Sequence, residues 1–223
     1  MADYYAQKLS AERLRRCYEI APPRVHAYLQ AEIAHALTRI RAGDAVLELG
    51  CGYGRILAQL AEKAGRAVGI DTSLASLIDG RPALAAFGNC RLIQANAIRL
   101  PFPDGRFDIV LCLQNGISAF HVDPDLLVGE SLRVAKTGGT VLFASYAERF
   151  WADRLAWFER QAAEGLVGEI DYEKTGRGRI VGKDGFTATT FGPEDFRRLA
   201  DSFGLEASIY EVDGSSVFCE IRK

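Results

Sequence analysis

A carboxylate followed by three glycines at alternate positions is the first feature able to do chemistry. In VLELGCGYGR, Val46 to Arg55, Glu48 precedes Gly50, Gly52 and Gly54. Glycine lets the main chain turn through positive φ and lets a ligand lie directly on the backbone. An apolar run, Ala45–Leu49, leads into the loop, and a helical pattern, Arg55–Lys63, leads out of it. The loop, with Cys51 inside it, therefore opens onto a helix whose first N–H groups lack partners within the helix. A dinucleotide site would need G-x-G-x-x-G. Counted from Gly50, its third glycine falls on Arg55. The G-K-[ST] of a phosphate loop is missing as well. Glu48 beside the loop disfavours pyrophosphate and favours a cationic group. A second acid, Asp71, stands 21 residues after Gly50 at the end of AVGIDTS, where a carboxylate can accept hydrogen bonds from ribose hydroxyls. Thr72 and Ser73 follow and suit the cap of the next helix. Farther on, LQNGISAFH places Gln114 and Asn115 at the end of a later apolar run. His121 is the histidine of that segment, and histidine is the residue type suited to act as a general base near neutrality. Asp123-Pro124 directly after it equally fits a surface loop before a helix.

These residues must be positioned by alternating strands and helices. Strand patterns occur at Ala45–Leu49, Ala67–Ile70, Arg91–Ala95, Phe107–Leu113 and Thr140–Ser145, with helices at 55–63, 73–84 and 124–135 between them. Short apolar runs separated by helices predict parallel strands buried on both faces, hence a doubly wound α/β sheet. Ligands of such sheets sit beyond the carboxyl ends of the strands. Before the sheet come two helices, one begun at Ser10 and one carrying Val25, Tyr28, Leu29, Ile33, Leu37 and Ile40 at helical spacing. After it, 146–165 reads as helix, GRIVGKDGFTATTF as a β-hairpin around Asp184-Gly185, and Pro193–Phe203 as another helix. The last run, LEASIYEVDGSSVFCEIRK, predicts two strands turned at Asp213-Gly214, an antiparallel hairpin that closes a seven-stranded, mostly parallel sheet.

ELGCGYG, GID.S and LPFPDGRFD together resemble the class I S-adenosylmethionine (SAM)-dependent methyltransferases, over roughly residues 42–145. The likeness is greatest to the small-molecule branch that includes the ubiquinone and menaquinone biosynthesis methyltransferases. The resemblance implies a Rossmann-like fold and SAM as cofactor, converted to S-adenosylhomocysteine (SAH). Carried over, it lays the amino-acid tail of SAM along Gly50, Cys51, Gly52 and Gly54, with Glu48 supporting that loop. It gives the ribose to Asp71, beside Thr72 and Ser73, and the adenine edge to Asn96 and Ala97. Gln114 is implied near the methionine portion. Asn96 departs from the family, which commonly has an acid there; its carbonyl oxygen can still accept from an exocyclic amine. The resemblance also implies that the N-terminal segment, with Tyr4, Tyr5, Tyr18 and Arg24, folds over the cofactor as a lid. Tyr18 would offer its aromatic face to the sulfonium.

The expected layout is one methyltransferase domain: lid 1–41, cofactor-binding core 42–145, substrate-side insertion 146–191 and C-terminal helix and strand pair 192–223. Net charge of −2, with 48% hydrophobic and 25% charged residues, gives no electrostatic case for a nucleic acid or a membrane surface as partner. The five cysteines are widely spaced and form no C-x-x-C, which argues against a disulfide framework and a metal site and for a reducing cytoplasm. The N/D-P-P-Y/F motif of amino-group methyltransferases of nucleic acids and protein glutamine is missing after Leu113. The expected acceptor is therefore a small molecule, with His121 as candidate base. RNA or protein methylation, or SAM binding without catalysis, is the alternative. The insertion carries Phe150, Trp151, Trp157, Phe158 and Tyr172, which fit core packing or an apolar roof over a substrate. Arg149, Arg154, Arg177 and Arg179 there could bind an acidic acceptor or be solvated.

Overall fold

Among the described residues, two complete helices precede the sheet. α1 (Ala11–Glu19) ends before Pro22-Pro23, and α2 (Pro23–Thr38) starts with proline in its first turn, where a missing N–H costs nothing. The computed structural model describes Tyr4 and residues 8–223, so Tyr5 lies outside the described residues. Ser10 holds the N-cap position of α1, but its hydroxyl makes no capping bond. Instead Ala11, at φ 49°, donates its N–H to the Ser76 hydroxyl at 2.9 Å, so the start of α1 is tied to a helix of the sheet layer.

The sheet follows as β1 (Ala45–Leu49), α3 (Arg55–Lys63), β2 (Arg66–Asp71), α4 (Leu74–Leu84), β3 (Cys90–Gln94), β4 (Phe107–Cys112), the short α5 (Gly116–Ala119), α6 (Pro124–Val134) and β5 (Ala135–Tyr146). A 3-10 turn (Glu148–Phe150) leads into α7 (Trp151–Ala163), where the sequence predicts one continuous helix. The hairpin β6 (Arg179–Val181) and β7 (Thr187–Thr189) forms a separate two-stranded sheet. α8 (Pro193–Ser202), β8 (Ala207–Val212) and β9 (Ser216–Arg222) complete the chain.

Strand order is β3-β2-β1-β4-β5-β9-β8, seven strands in all. β1 to β5 are parallel, and β9 runs antiparallel to β5, as the alternation of elements predicts. The Asp213-Gly214 turn has φ of 57° and 64°, the two left-handed residues that twist a two-residue loop to match its strands. β5 begins five residues earlier than its apolar run. Ala135 pairs with Phe107, the register then jumps to Ile109–Thr140, and the bulge between holds Gly138 at φ 77°.

Each face of the sheet has its own apolar layer. Leu47, Leu49, Val110 and Phe143 pack towards α6 and α8, while Val46, Ile109, Leu111 and Leu142 pack towards α2 and α3. A third cluster joins elements that the sequence presents as two separate embellishments. Leu9, Cys17, Val25, Tyr28 and Leu29 of the N-terminal helices pack with Tyr146, Trp157, Phe158, Ile180 and Phe186 of the insertion. Lid and insertion therefore share one core. Among the described residues, no helix is long and apolar enough to cross a membrane.

Candidate functional site

The chain leaves β3 at one edge and returns to the middle beside β1, so β1 and β4 diverge at a switch point. Beyond their carboxyl ends lies a cavity of about 290 Å³. Its walls bring together Tyr18, Glu48, Gly50, Cys51, Gly52, Asp71, Thr72, Ser73, Asn96, Ala97, Gln114 and His121. Gly54 stands outside this wall; a Cβ there would lie 2.6 Å from Leu84 Cδ1, so it serves the packing of α3 against α4.

The glycine loop is held by its neighbours. Gly50, Gly52 and Gly54 adopt φ of 71°, 54° and 80°, which side chains rarely tolerate. Cys51 N–H donates to Ile70 O at 2.9 Å, and Gly52 N–H to Asp71 Oδ2 at 2.8 Å. Asp71 Oδ1 accepts from Ser73 N–H at 2.8 Å, and the Ser73 hydroxyl accepts from Ser76 N–H at 3.1 Å, capping α4. Asp71 thus fastens the glycine loop to the start of α4 from the tip of β2. The Cys51 thiol is turned inward against Gly69 and not outward as a ligand group. Asn96, exposed on the rim, accepts from Ile98 N–H at 3.1 Å in a turn of its own.

The polar floor of the cavity was only partly legible in the motif. Glu48, in the lining, is 3% exposed, and Glu32, on α2 behind the lining, is fully buried; one oxygen of each, Oε2, has no hydrogen-bond partner. Burial pushes the carboxyl pKa of Glu48 up to about 8 and that of Glu32 to about 7, with the Arg55 guanidinium opposing both shifts. Arg55 Nη2 donates to Gln114 Oε1 at 2.7 Å, and its guanidinium lies 4.2 Å from the centre of the Tyr18 ring. Tyr18 Oη donates to the same Gln114 oxygen at 3.2 Å, and Gln114 N–H donates to Glu32 Oε1 at 3.2 Å. Gln114 Nε2 is buried without a partner. Sequence reasoning missed Glu32 and Arg55. Arg55 is the residue next to the third glycine, and Glu32 is the single acid on the apolar face of α2, four residues after Tyr28. Either position could have signalled a buried charge.

The loop after β4 forms the remaining wall. Gln114, Asn115 and His121 have φ of 51°, 62° and 51°, a concentration of left-handed residues of the kind found at functional sites. Asn115 accepts from the Ser145 hydroxyl at 2.7 Å and donates to Thr189 O at 3.0 Å, so this loop is tied to β5 and to the inserted hairpin. The ring of Phe120 lies on Gly50, where a Cβ would come within 2.5 Å of its Cζ. His121 is exposed at the cavity mouth.

Above the floor, α1 bridges the two sides of the cavity. Arg15 bonds Asp79 of α4 at 2.7 Å and covers the Tyr53 ring, while Arg13 donates to the carbonyls of Gly165 and Leu166 after α7. Trp157 Nε1 donates to Cys17 O at 2.8 Å. Tyr4 and Arg24 do not line the cavity: Tyr4 donates to Asp184 at 2.6 Å and Arg24 pairs with Asp213 at 2.6 Å. Nor do the four arginines of the insertion. Arg154 is fully buried over the Tyr146 ring and donates to Gly178 O, Ala188 O and Thr190 Oγ1. Arg149 pairs with Glu211, and Arg177 and Arg179 are exposed.

This loop, acid and switch point coincide with a match to the methyltransferase domain family over residues 46–139. Within and around it, the chain is 34% identical over 117 residues to the ubiquinone/menaquinone biosynthesis C-methyltransferase UbiE of Vibrio vulnificus, covering 48% of this chain and 43% of that one. The corresponding enzyme of Pseudomonas putida is 33% identical over 118 residues, covering 50% and 45%. The chain thus spans less than half the length of the curated relatives it matches. The whole fold is also found in solved structures. The PH0226 protein of Pyrococcus horikoshii superposes with a TM-score of 0.68 at 19% identity, covering 100% of this chain and 99% of that one. A SAM-dependent methyltransferase of Aquifex aeolicus gives 0.64 at 13% identity, covering 93% and 97%. Both likenesses of fold extend beyond residues 46–139 to the helices and insertion that roof the cavity.

Proposed function

We propose that the protein is a SAM-dependent methyltransferase acting on a small molecule in the cytoplasm, with residues 1–223 as one catalytic unit. The observation that carries this reading is the left-handed glycine loop held by the acid at the tip of β2, beside a buried carboxylate with an unpartnered oxygen. Those features fit SAM, which has a cationic sulfur, an ammonium and a ribose but no phosphate. Gly50, Cys51 and Gly52 would support its amino-acid tail along the backbone. Glu48, Gln114 and Tyr18 would form the polar and aromatic surroundings of its methionine end, and Asp71, with Thr72 and Ser73 beside it, would take the ribose. Asn96 and Ala97 would border the adenine. When bound, SAM supplies an electrophilic methyl carbon, to which the acceptor's lone pair bonds while the carbon–sulfur pair returns to sulfur.

The chain's own contribution is then positioning and exclusion of water, which can account for roughly 7–11 kcal/mol of a barrier. The buried floor, the ring of Phe120 on the loop and the strap of α1 exclude water; His121 at the mouth is the candidate base for an acceptor that must lose a proton. Support for a small acceptor comes from the roof, which covers part of the cavity, and from the lining, in which Arg55 is the one lysine or arginine among the described residues. Calorimetric titration with SAM tests the reading directly. Asp71→Ala is expected to weaken binding by about 1–3 kcal/mol, the value of hydrogen bonds to a charged group. Absence of SAM binding by the unaltered protein, or unchanged affinity in the variant, would refute it.

A further inference from the structure

The roof determines what shares the cavity with the donor. Its share of the lining is largely apolar, with five aromatic residues, Tyr18, Tyr28, Tyr146, Trp157 and Phe158, beside three leucines and Cys17. Tyr28 and Tyr146 have ring centroids 5.5 Å apart, Tyr18 and Trp157 6.1 Å, and Trp157 and Phe158 5.7 Å. Gln161, 2% exposed, is the roof's one carboxamide in the lining. The charges are one-sided. Arg55 is the one lysine or arginine that lines the cavity among the described residues, and Gln114 and the Tyr18 face already engage it. The Arg154 guanidinium, nearest on the roof side, is committed to three oxygens of the hairpin segment. Against that single cation stand two buried carboxyls, Glu48 in the lining and Glu32 behind Gln114, each with an oxygen lacking a partner.

We propose, resting on the methyltransferase reading above, that this chamber selects a flat, largely apolar acceptor that is uncharged or cationic, and that Glu32 is the residue that excludes anions. A carboxylate or phosphate entering here loses its water beside two acids and finds no uncommitted counter-ion. A neutral ring loses little hydration and gains contact with the aromatic walls. An ammonium group gains from both the ring faces and the acids. Glu32 carries the discrimination because it lies outside the glycine-loop frame, on α2, one turn from Tyr28 and bonded to Gln114 N–H: it is buried directly behind the lining residues Tyr28 and Gln114, and its charge acts through that wall. Gln161 supplies a hydrogen bond for one polar group of the acceptor. Small size follows from the volume, about 290 Å³, which sits at the low end for ligand cavities and must also hold the donor.

The test uses matched aromatic pairs that differ in charge, with the full chain saturated with SAH at about pH 8.5, above the Glu32 value of about 7, so that Glu32 carries its charge: tryptamine and indole against indole-3-acetate, and phenol against 4-hydroxybenzoate. Binding is read by calorimetry and by saturation-transfer NMR, without turnover. The uncharged and cationic members should bind at least about tenfold more tightly than their anionic partners, a difference typical of an unpaired charge placed near like charge. Glu32→Gln, which keeps the shape and can still accept from Gln114 N–H, should shrink that ratio severalfold, and Glu32→Asp should retain it. The ratio of two affinities does not depend on the fraction of folded variant. Equal or tighter binding of the acids, no binding by any probe, or a ratio unmoved in Glu32→Gln would overturn the proposal. The SAH titration that precedes the panel separates the two readings: no SAH binding sinks the cofactor assignment, whereas SAH binding without charge discrimination sinks only this inference.

Discussion

Gly80 lies in the middle of α4, outside every motif, yet it sets how closely that helix approaches the glycine loop. A Cβ at this position would stand 2.7 Å from the carbonyl carbon of Tyr53 and 3.1 Å from its Cα, where ordinary contact begins at 3.4 Å. Gly80→Ala therefore forces main chain against main chain, and helix and loop must separate by more than the 0.7 Å that the carbonyl carbon alone requires (3.4 against 2.7 Å), because the Tyr53 carbonyl oxygen stands nearer still. Two effects compete. Alanine is favoured over glycine in a helix interior by about 0.5–1 kcal/mol. Overpacking a rigid contact costs about 1–3 kcal/mol, and here neither side is a flexible side chain that can swing away. The clash wins, with a net loss of about 1–2 kcal/mol and a melting temperature lower by about 2–8 °C for a chain of this size. The displaced atoms belong to the loop that Asp71 fastens, so SAM affinity should also fall. Thermal unfolding with and without SAM, together with calorimetric titration, measures both. A variant as stable as the parent, with the same affinity, would refute the claim that this close approach shapes the loop.

Three other outcomes are expected. Burial holds the Glu48 carboxyl at about 8, against an ordinary value of 4.5, so the folded chain keeps a proton that the unfolded chain releases; stability should fall as pH rises from about 4.5 to about 8, by up to about 1.4 kcal/mol per pH unit. Glu48→Gln should flatten that decline in urea unfolding curves across the window, leaving the smaller part due to Glu32, and an equally steep decline in the variant would count against the buried charge. Arg154→Met removes donors from Gly178 O, Ala188 O and Thr190 Oγ1 and should destabilise the chain by about 2–4 kcal/mol in the same assay; a loss under about 0.5 kcal/mol would mean the insertion does not depend on this clamp. His121→Ala should leave SAM binding unaltered and slow transfer to a proton-bearing acceptor by roughly 10²-fold; undiminished turnover would assign His121 to the loop alone.

Alternation of apolar runs and helical stripes was enough to read the sheet, because parallel strands buried on both faces are distinctive. The donor side of the site was equally legible, since three alternate glycines and an acid at a strand tip lie close together in sequence. The start of β5 was not, because its first residues, Ala135 to Gly139, enter the sheet through a bulge and show no apolar run. The helix expected over 146–165 breaks into a 3-10 turn and α7 for a local reason: Ala147 is drawn to Ser215 O at 2.8 Å by the neighbouring hairpin. Glu32 escaped notice because its partners, Gln114 and Arg55, are distant in sequence, and a lone acid on an apolar helix face looks like an exposed residue until the packing is known. Arg154 is the reverse case: its charge suggested a ligand contact, and tertiary structure uses it to fasten carbonyl groups of the inserted hairpin.

α1 is moored on opposite banks of the cavity, to Asp79 on one and to Glu164, Gly165 and Leu166 on the other, and its inner side rests Leu14 on Gly52. Ion pairs this accessible to solvent are each worth about 1 kcal/mol or less. The strap's hold on the cavity therefore rests chiefly on the apolar contacts that Leu14, Cys17 and Tyr18 make beneath it, which resist salt and weaken on cooling.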